Sequence, residues 1–157
     1  MEKIALFPGT FDPITLGHID IAKRALNIFD KVIIGIGTNI AKVPMYSVEQ
    51  RIDWLNEIFK DEKRIVPSVY EGLTVKFCQE LNAKYIVRGI RFVSDFEYEK
   101  MIADMNRSLD AEIETVFLTC LPIYNSVAST MVRDVIKNNG DASMFLPDVV
   151  RKTIYNK

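Results

Sequence analysis

The stretch IALFPGTFDPITLGHIDIAKRAL, residues 4–26, contains the junction that decides the fold. An apolar run at 4–7 ends at Pro8-Gly9, and a helical pattern begins at Gly17-His18. An apolar run followed by an amphipathic segment is typical of a strand, buried on both faces, that leads into a helix. The junction holds two glycines, two prolines and the only histidine of the chain, which is unusual for a connection between a strand and a helix. We therefore expect a binding function there.

Strand-like and helical patterns alternate along the rest of the chain. Runs rich in Ile, Val and Phe predict strands at 3–7, 31–36, 64–69, 85–88 and 114–118. Amphipathic patterns predict helices at 17–29, 48–59, 73–81, 95–110 and 130–138, with a last helix after Pro147. This alternation predicts an α/β fold: a doubly wound, Rossmann-like, five-stranded parallel sheet with helices on both faces. Because no linker or repeat interrupts the pattern, we expect one domain over 1–157.

The sequence also predicts where helices start and where a ligand binds. Capping-box sequences begin at Ser47 and Ser94, which we expect to be the N-caps of two helices. Ligands of doubly wound sheets bind at the carboxyl ends of the strands, where the strand order reverses. The longest predicted loop, 37–46, follows such an end.

Composition and charge exclude several classes of protein. Hydrophobic residues make up 48% and charged residues 26% of the chain, as in an ordered globular domain. A net charge of −1 disfavours a broad nucleic-acid or membrane surface, so we expect no nucleic acid and no membrane as a partner. No apolar run approaches the roughly 20 residues of a membrane span, and the first residues lack the pattern of a signal peptide. Cys78 and Cys120 have no CxxC spacing, so we expect reduced core cysteines in a cytoplasmic protein.

The turn after the first predicted strand offers groups suited to an anion. Gly9 lets the backbone approach a ligand closely, and Thr10 adds a hydroxyl and an N–H group. His18 falls in the first turn of the next helix, where unpaired N–H groups and the positive end of the dipole attract anions. That position disfavours a protonated imidazole but suits a hydrogen-bond donor to phosphate. The alternative is a surface or capping histidine beside a tight turn.

Two motifs in the chain carry a family resemblance. Residues 15–18, Thr-Leu-Gly-His, resemble the T/H-x-G-H motif of the nucleotidylyltransferase superfamily, and they follow the first strand as that fold requires. Residues 127–133, Val-Ala-Ser-Thr-Met-Val-Arg, resemble the second motif of that superfamily, I-S-S-T-x-x-R. Both motifs open predicted helices, whose N–H groups suit phosphates.

Four further segments point to one family within this superfamily. They are FPGTFDPITLGH (7–18), KVPM (42–45), RGIR (88–91) and DFEYE (95–99). These segments are similar to the pattern of the bacterial phosphopantetheine adenylyltransferases, over essentially the whole chain. The resemblance implies transfer of the adenylyl group of ATP to 4′-phosphopantetheine, which gives dephospho-coenzyme A and pyrophosphate. It also implies that Mg²⁺ accompanies the nucleotide and that the protein is a homohexamer.

The resemblance further implies roles for individual residues. The catalytic residues would be His18, Lys42 and Arg91. The residues that bind 4′-phosphopantetheine would be Thr10, Lys42, Thr74 and Arg88. The residues that bind ATP would be Thr10, Phe11, His18, Gly89, Ile90, Arg91, Glu99, Tyr124, Asn125, Ser126, Val127, Ala128, Ser129 and Thr130. Ala128 departs from the family pattern, which has a serine there, and this removes one hydroxyl contact.

Simpler roles for the charged residues stay open. Lys42, Arg88 and Arg91 also fit solvated charges at loop tips. The predicted strand before Arg88 and Arg91 directs them to the crevice, however, and the planar guanidinium suits phosphate oxygens. Glu99 lies early in a predicted helix, where an acidic side chain stabilises the helix dipole without any ligand.

The implied reaction requires placement and charge more than a dedicated nucleophile. A phosphate monoester is a nucleophile at neutral pH, so no Ser-His dyad or catalytic carboxylate is needed. No His, Cys and Asp residues have the spacing of metal ligands, so we expect no metal site formed by the protein itself. Two alternatives remain: another nucleotidylyltransferase, such as a cytidylyltransferase or a nicotinate-nucleotide adenylyltransferase, and a non-catalytic nucleotide-binding module. The segments 88–91 and 95–99 disfavour the first alternative, and the presence of His18 with the cations disfavours the second.

Overall fold

Five strands form the centre of the molecule in a computed structural model that describes residues 1–38 and 43–156. The strands are β1 (Ile4–Gly9), β2 (Lys31–Thr38), β3 (Ile65–Glu71), β4 (Tyr85–Ile90) and β5 (Glu114–Thr119). All neighbours pair in parallel, in the order β3-β2-β1-β4-β5. The predicted five-stranded parallel sheet is confirmed, and each strand extends beyond its predicted carboxyl end.

Helices connect the strands and follow the last one. They are α1 (Leu16–Ala25), α2 (Val48–Ile58), α3 (Thr74–Glu80), α4 (Val93–Leu109), α5 (Ser129–Lys137) and α6 (Asp148–Tyr155). Short 3₁₀ turns at Pro122–Tyr124 and Ser143–Phe145 were not predicted. None of the helices in the described part of the chain is long and apolar enough to cross a membrane.

The helices cover both faces of the sheet, as predicted. On one face, Ile21 of α1 and Trp54 of α2 are buried in the larger core cluster, which α5 and α6 also join. On the other face, Phe77 of α3 belongs to a smaller cluster. Leu6 and Phe7 of β1 point into opposite clusters, so this strand is buried on both sides. Such double burial explains why its apolar residues are consecutive rather than alternating.

The start of α4 differs from the prediction because its cap is different. The helix begins at Val93, and the Asp95 carboxylate accepts hydrogen bonds from the backbone N–H groups of Arg91 and Phe92, at 3.0 and 3.2 Å. Ser94 therefore lies inside the first turn, and its prediction as an N-cap is wrong. An acidic side chain that reaches back over the helix start satisfies N–H groups that otherwise lack partners.

Two other helix ends show how the local sequence acts. Ser47 caps α2 as predicted, since its hydroxyl accepts from the backbone N–H of Gln50 at 3.1 Å. α1 ends at Ala25, four residues before the predicted end at 29. The apolar pattern continues because Phe29, at the end of the following turn, is still buried in the core.

The strand order reverses beside β1, and the sheet opens there. β2 and β3 lie on one side of β1, while β4 and β5 lie on the other. β1 pairs with β4 only as far as Leu6 and Ile86, whereas its pairing with β2 continues to Gly9 and Ile36. The carboxyl ends of β1 and β4 therefore separate and leave a crevice, at the position where doubly wound sheets bind ligands.

Candidate active site

The ring of Phe11 fixes the turn after β1. The backbone of Phe11 has a φ of 47°, in the left-handed region that few residues other than glycine adopt. Its buried ring fills the space beside Gly9, where an added Cβ would lie 3.0 Å from the ring. The same ring packs edge-on against His18, with 5.0 Å between the centroids. The close packing of this ring therefore favours glycine at position 9, a different reason from the ligand approach predicted from the sequence.

His18 caps the helix in which it lies. Thr15 is the N-cap of α1, and its hydroxyl accepts a hydrogen bond from the backbone N–H of His18 at 3.4 Å. In return, the backbone N–H of Thr15 donates to Nδ1 of His18 at 3.1 Å. This is a capping box in which an imidazole replaces the usual Glu or Gln. Because Nδ1 accepts a hydrogen bond, the neutral ring carries its proton on Nε2.

The surroundings of His18 keep the ring uncharged. Burial, followed by the positive charges of Arg88 and Arg91, lowers the pKa of His18 from 6.5 to about 4. At neutral pH the side chain is therefore an N–H donor without charge. This state is compatible with a helix start, where the dipole disfavours a cation, and it suits a hydrogen bond to an anion.

Three helix starts surround a cavity of about 560 Å³ beside His18, which we name the helix-end cavity. The first turn of a helix carries backbone N–H groups without partners and the positive end of the dipole, so the cavity favours an anionic ligand. Residues from the starts of α1, α4 and α5 line it together with the ends of β1 and β4: Gly17, His18, Ser94, Asp95, Ser129, Thr130, Gly9, Arg88 and Gly89.

The start of α5 is tied directly to the opening turn. The hydroxyl of Ser129 donates to the carbonyl oxygen of Pro13 at 2.9 Å. The N-cap of α5 is Ala128, whose side chain makes no capping hydrogen bond. The backbone N–H groups at this helix start therefore keep their capacity to donate to a ligand in the helix-end cavity.

An ion pair forms the wall between the helix-end cavity and a second one. Nη2 and Nε of Arg88 donate to the two carboxylate oxygens of Glu99, at 2.6 and 2.7 Å. The third nitrogen, Nη1, donates to the carbonyl oxygen of Pro8. Glu99 is only 8% exposed, and Arg88 compensates the negative charge that is buried there. The sequence left two roles open for Glu99, ATP binding and stabilisation of the helix dipole. Stabilisation of the helix alone does not explain the contact with Arg88, because the carboxylate orients the guanidinium.

The second cavity, which we name the side cavity, has a volume of about 680 Å³. It shares Pro8, Gly9, Thr10, Arg88 and Glu99 with the helix-end cavity. Ligands in the two cavities would therefore contact the same stretch of wall. Three of the residues predicted to bind the acceptor substrate belong to the described part of the chain. All three line the side cavity: Thr10, Thr74 and Arg88.

Arg91 is held at the edge of the helix-end cavity rather than free in solvent. Its Nε lies 3.4 Å from a carboxylate oxygen of Asp95, and its guanidinium carbon lies 6.0 Å from the ring centroid of Phe92. The pair with Asp95 leaves other N–H groups of the guanidinium for a ligand, because arginine has five. Arg91 lines the same cavity as His18.

A buried network connects the opening turn to the segment before α2. The carboxylate of Asp12 accepts hydrogen bonds from the backbone N–H groups of Met45 and Tyr46, at 2.8 and 2.9 Å. Arg51 of α2, which is 3% exposed, donates from Nη1 to the carbonyl oxygen of Thr10 at 2.7 Å. The far end of the long predicted loop is thus anchored beside Thr10, a residue that both cavities share.

Most residues predicted to bind ATP line the helix-end cavity. They are Thr10, Phe11, His18, Gly89, Arg91, Glu99, Tyr124, Val127, Ala128, Ser129 and Thr130. Ile90, Asn125 and Ser126 are absent from the described lining. Lys42 lies outside the described residues, so its place beside His18 stays a prediction. The structure brings together the predicted residues that line this cavity, while their contacts with substrates stay predictions.

Cys120 packs against the larger core cluster, as predicted, but it is not fully buried there. It is half-buried and lines the helix-end cavity, whereas Cys78 is fully buried. Both are free, and burial raises the pKa of each thiol, that of Cys78 to about 12. Neither thiol is therefore suited to act as a nucleophile at neutral pH.

Several site residues were not predicted. Arg133 lines the helix-end cavity and donates from Nη1 to the carbonyl oxygen of Asp12 at 2.8 Å. Its position at the end of the motif 127–133 was a signal that could have identified it. Arg51 and Tyr70 had no such signal, because only the fold brings them to the turn and to the side cavity.

Comparisons with known proteins agree with this architecture. A family model described as cytidylyltransferase-like matches residues 6–135. A phosphopantetheine adenylyltransferase from Flavobacterium psychrophilum is 49% identical over 94% of this chain and 97% of its own length. One from Lachnoclostridium phytofermentans is 41% identical over 99% of this chain and 95% of its own length.

A solved structure shows the same fold. It is a bifunctional NMN adenylyltransferase/ADP ribose pyrophosphatase from Francisella tularensis, with a TM-score of 0.67 and 22% identity over 93% of this chain. This chain spans 45% of the length of that protein. The fold, the family match and the near full-length relatives confirm the resemblance seen in the sequence. The chain belongs to the cytidylyltransferase-like family and, within it, to the phosphopantetheine adenylyltransferases.

Proposed function

We propose that this nucleotidyltransferase transfers the adenylyl group of ATP to 4′-phosphopantetheine, giving dephospho-coenzyme A and pyrophosphate. The observation that carries the proposal is the wall shared by two cavities, with His18 beside it. ATP occupies the helix-end cavity and 4′-phosphopantetheine the side cavity. Their phosphates then meet beside Thr10 and Arg88, which belong to both. The names of the relatives support this choice of substrates.

The transfer is a displacement at the α-phosphorus of ATP. An oxygen of the acceptor phosphate forms a bond to that phosphorus, the bond to the bridging β-phosphate oxygen breaks, and pyrophosphate leaves with the electron pair. Nε2–H of His18 and the N–H groups at the start of α1 donate to the α-phosphate oxygens as negative charge develops there. Since the ring is uncharged, His18 acts as a hydrogen-bond donor and transfers no proton.

Cationic side chains reduce the repulsion between the two substrates. Arg91 holds the phosphates of ATP, Thr10 and Arg88 fix the phosphate of 4′-phosphopantetheine, and Lys42 neutralises it. Two phosphates within a few ångströms repel strongly in a partly desolvated site, so their approach depends on these charges. The contact of Glu99 with Arg88 supports this assignment, because it fixes the direction of the guanidinium.

We also propose that Mg²⁺ reaches the site on the phosphates of ATP. The carboxylates among the described lining residues are engaged: Asp95 by backbone N–H groups and Arg91, and Glu99 by Arg88. Within the described residues, no group of three or more His, Cys, Asp and Glu could hold a metal ion. This fits an ion that keeps most of its ligands from water and substrate phosphates. When bound, Mg²⁺ neutralises charge on the triphosphate.

We propose that the chain forms a homohexamer that uses the exposed face of α4. Val93, Met101, Met105 and Leu109 are 76%, 63%, 65% and 55% exposed and recur mostly at intervals of four residues along this helix. A stripe of this kind on a single copy is typical of an interaction surface. Light scattering should give a molar mass of six chains, and Met101→Glu together with Met105→Glu should lower it. Met144→Glu, at an exposed methionine outside α4, is the control.

The cytoplasm is the compartment that we propose for this reaction. Both cysteines are free, as is usual where the glutathione pool keeps thiols reduced.

Pyrophosphate release tests the proposed reaction. The purified chain is incubated with Mg²⁺, either ATP or CTP, and either 4′-phosphopantetheine or nicotinate mononucleotide. We expect turnover only with ATP and 4′-phosphopantetheine. Faster turnover with CTP or with nicotinate mononucleotide would assign another nucleotidylyltransferase activity. ATP binding without turnover on any acceptor would favour a non-catalytic module.

A further inference from the structure

Tyr70 occupies a space in the sheet that two glycines of β2 leave open. It lies on β3, opposite Gly37. An added Cβ at Gly37 would lie 3.2 Å from the Tyr70 hydroxyl oxygen, and one at Gly35 would lie 3.1 Å from the ring. On its other side the ring stacks on Phe77 of α3, with 4.5 Å between centroids and an angle of 3° between the planes. The position of the phenol is therefore fixed by packing on both sides.

The hydroxyl of Tyr70 meets a second hydroxyl in the side cavity. Its oxygen lies 3.0 Å from Oγ1 of Thr74, and both residues line the cavity. One of the two groups donates to the other, which leaves one O–H donor and several lone pairs for a further partner. Burial raises the pKa of Tyr70, so the phenol keeps its proton at neutral pH.

We propose that Tyr70 and Thr74 form a hydroxyl pair that selects the amide-bearing arm of the acceptor substrate in the side cavity. This inference rests on the proposed function, in which the phosphate of the acceptor lies at Thr10 and Arg88 of the same cavity. The arm of 4′-phosphopantetheine carries two secondary amides, each with one carbonyl acceptor and one N–H donor. The remaining O–H of the pair donates to an amide carbonyl oxygen. An acceptor without amides leaves that donor without a partner, and this lowers its affinity.

A purely structural role for the pair makes a different prediction. If the bond only joined β3 to α3, its loss would lower stability and would affect all substrates equally. A role in specificity raises KM for 4′-phosphopantetheine and leaves KM for ATP unchanged, because ATP occupies the other cavity. The split between the two KM values therefore distinguishes the roles.

Steady-state pyrophosphate release measures this split for Tyr70→Phe, Thr74→Val and the double variant. We expect KM for 4′-phosphopantetheine to rise about 3- to 10-fold in each single variant, as for the loss of one neutral hydrogen bond. The double variant removes both hydroxyls of the pair, so its KM for 4′-phosphopantetheine should rise at least as much as that of the worse single variant. Thr74→Ser keeps a hydroxyl and should restore most of the affinity. Tyr85→Phe, at the other end of the sheet and outside the side cavity, is the matched control.

A truncated acceptor completes the test. With 3-hydroxy-2,2-dimethylpropyl phosphate, which has no amide, kcat/KM should be the same for wild type and Tyr70→Phe. An unchanged KM for 4′-phosphopantetheine in Tyr70→Phe, or an equal loss with the truncated acceptor, would overturn the inference while wild-type turnover leaves the proposed function intact. Absence of wild-type turnover would instead overturn the proposed function itself.

Discussion

Acidification from pH 7 to about pH 5 should destabilise this protein more than a variant that lacks its only histidine. His18 has a pKa of about 4 in the folded protein against 6.5 as its ordinary value. Between these values the unfolded chain binds a proton that the folded chain does not, so stability falls as the pH falls. From the two pKa values, the loss attributable to His18 is about 2 kcal/mol at pH 5 and approaches about 3 kcal/mol below pH 4.

Urea denaturation of wild type and His18→Gln isolates this contribution. Glutamine cannot titrate, and the carboxylates titrate in both proteins, so the difference between the two pH dependences belongs to one group. The only tryptophan, Trp54, is buried in the core, and its fluorescence reports the unfolding. We expect the free energy of unfolding of the wild type to fall by about 2 kcal/mol more than that of the variant.

Parallel pH dependences for the two proteins would refute the reasoning. So would an NMR titration of the imidazole that gives a pKa near 6.5 in the folded protein. Either result would mean that His18 is exposed or protonated at the start of α1. A neutral Nε2–H donor would then be the wrong description of the group assigned to the α-phosphate.

Three further substitutions test the site. His18→Ala should lower kcat about 10²- to 10³-fold, as for the loss of one preorganised donor, and near-normal pyrophosphate release from a folded variant would contradict this. Glu99→Gln replaces one of the two carboxylate oxygens that accept hydrogen bonds from Arg88. We expect the free energy of unfolding in urea to fall by about 1–3 kcal/mol and KM for 4′-phosphopantetheine to rise. Glu97→Gln, at an exposed position on the same helix, should change neither quantity. Asp12→Ala removes a buried carboxylate and leaves the partly buried N–H groups of Met45 and Tyr46 without their acceptor, which should cost about 1–3 kcal/mol in the same measurement. Asp53→Ala, at an exposed position, should stay within about 0.5 kcal/mol of wild type.

The strands and the opening motif were predictable because their causes are local. β1 is an uninterrupted apolar run, since both of its faces are buried, and the burial leaves a direct trace in the sequence. His18 follows a threonine at the spacing of a capping box, so its place in the first turn of α1 could be predicted without the fold. Its role as the reciprocal cap could not, because the motif is usually completed by Glu or Gln.

Contacts between distant segments could not be predicted in the same way. Arg88 and Glu99 lie on different elements, and nothing near either residue specifies that they form a bidentate pair. The start of α4 was misplaced for a related reason, since both Ser94 and Asp95 are good capping residues and only the backbone geometry decides between them. Cys120 has an apolar neighbourhood in sequence, yet the carboxyl end of β5 brings it to a cavity.

The early end of the pairing between β1 and β4 has a consequence for how substrates and the fold affect each other. Beyond Leu6 and Ile86, no ladder of backbone hydrogen bonds joins the two halves of the sheet, and the side chain of Arg88 reaches across to Pro8 in its place. A bound nucleotide that contacts the carboxyl ends of both β1 and β4 would connect the two halves of the sheet where backbone pairing is missing. Occupancy should then raise the melting temperature and slow amide exchange in the last residues of both strands, so that the fold is completed by what it binds.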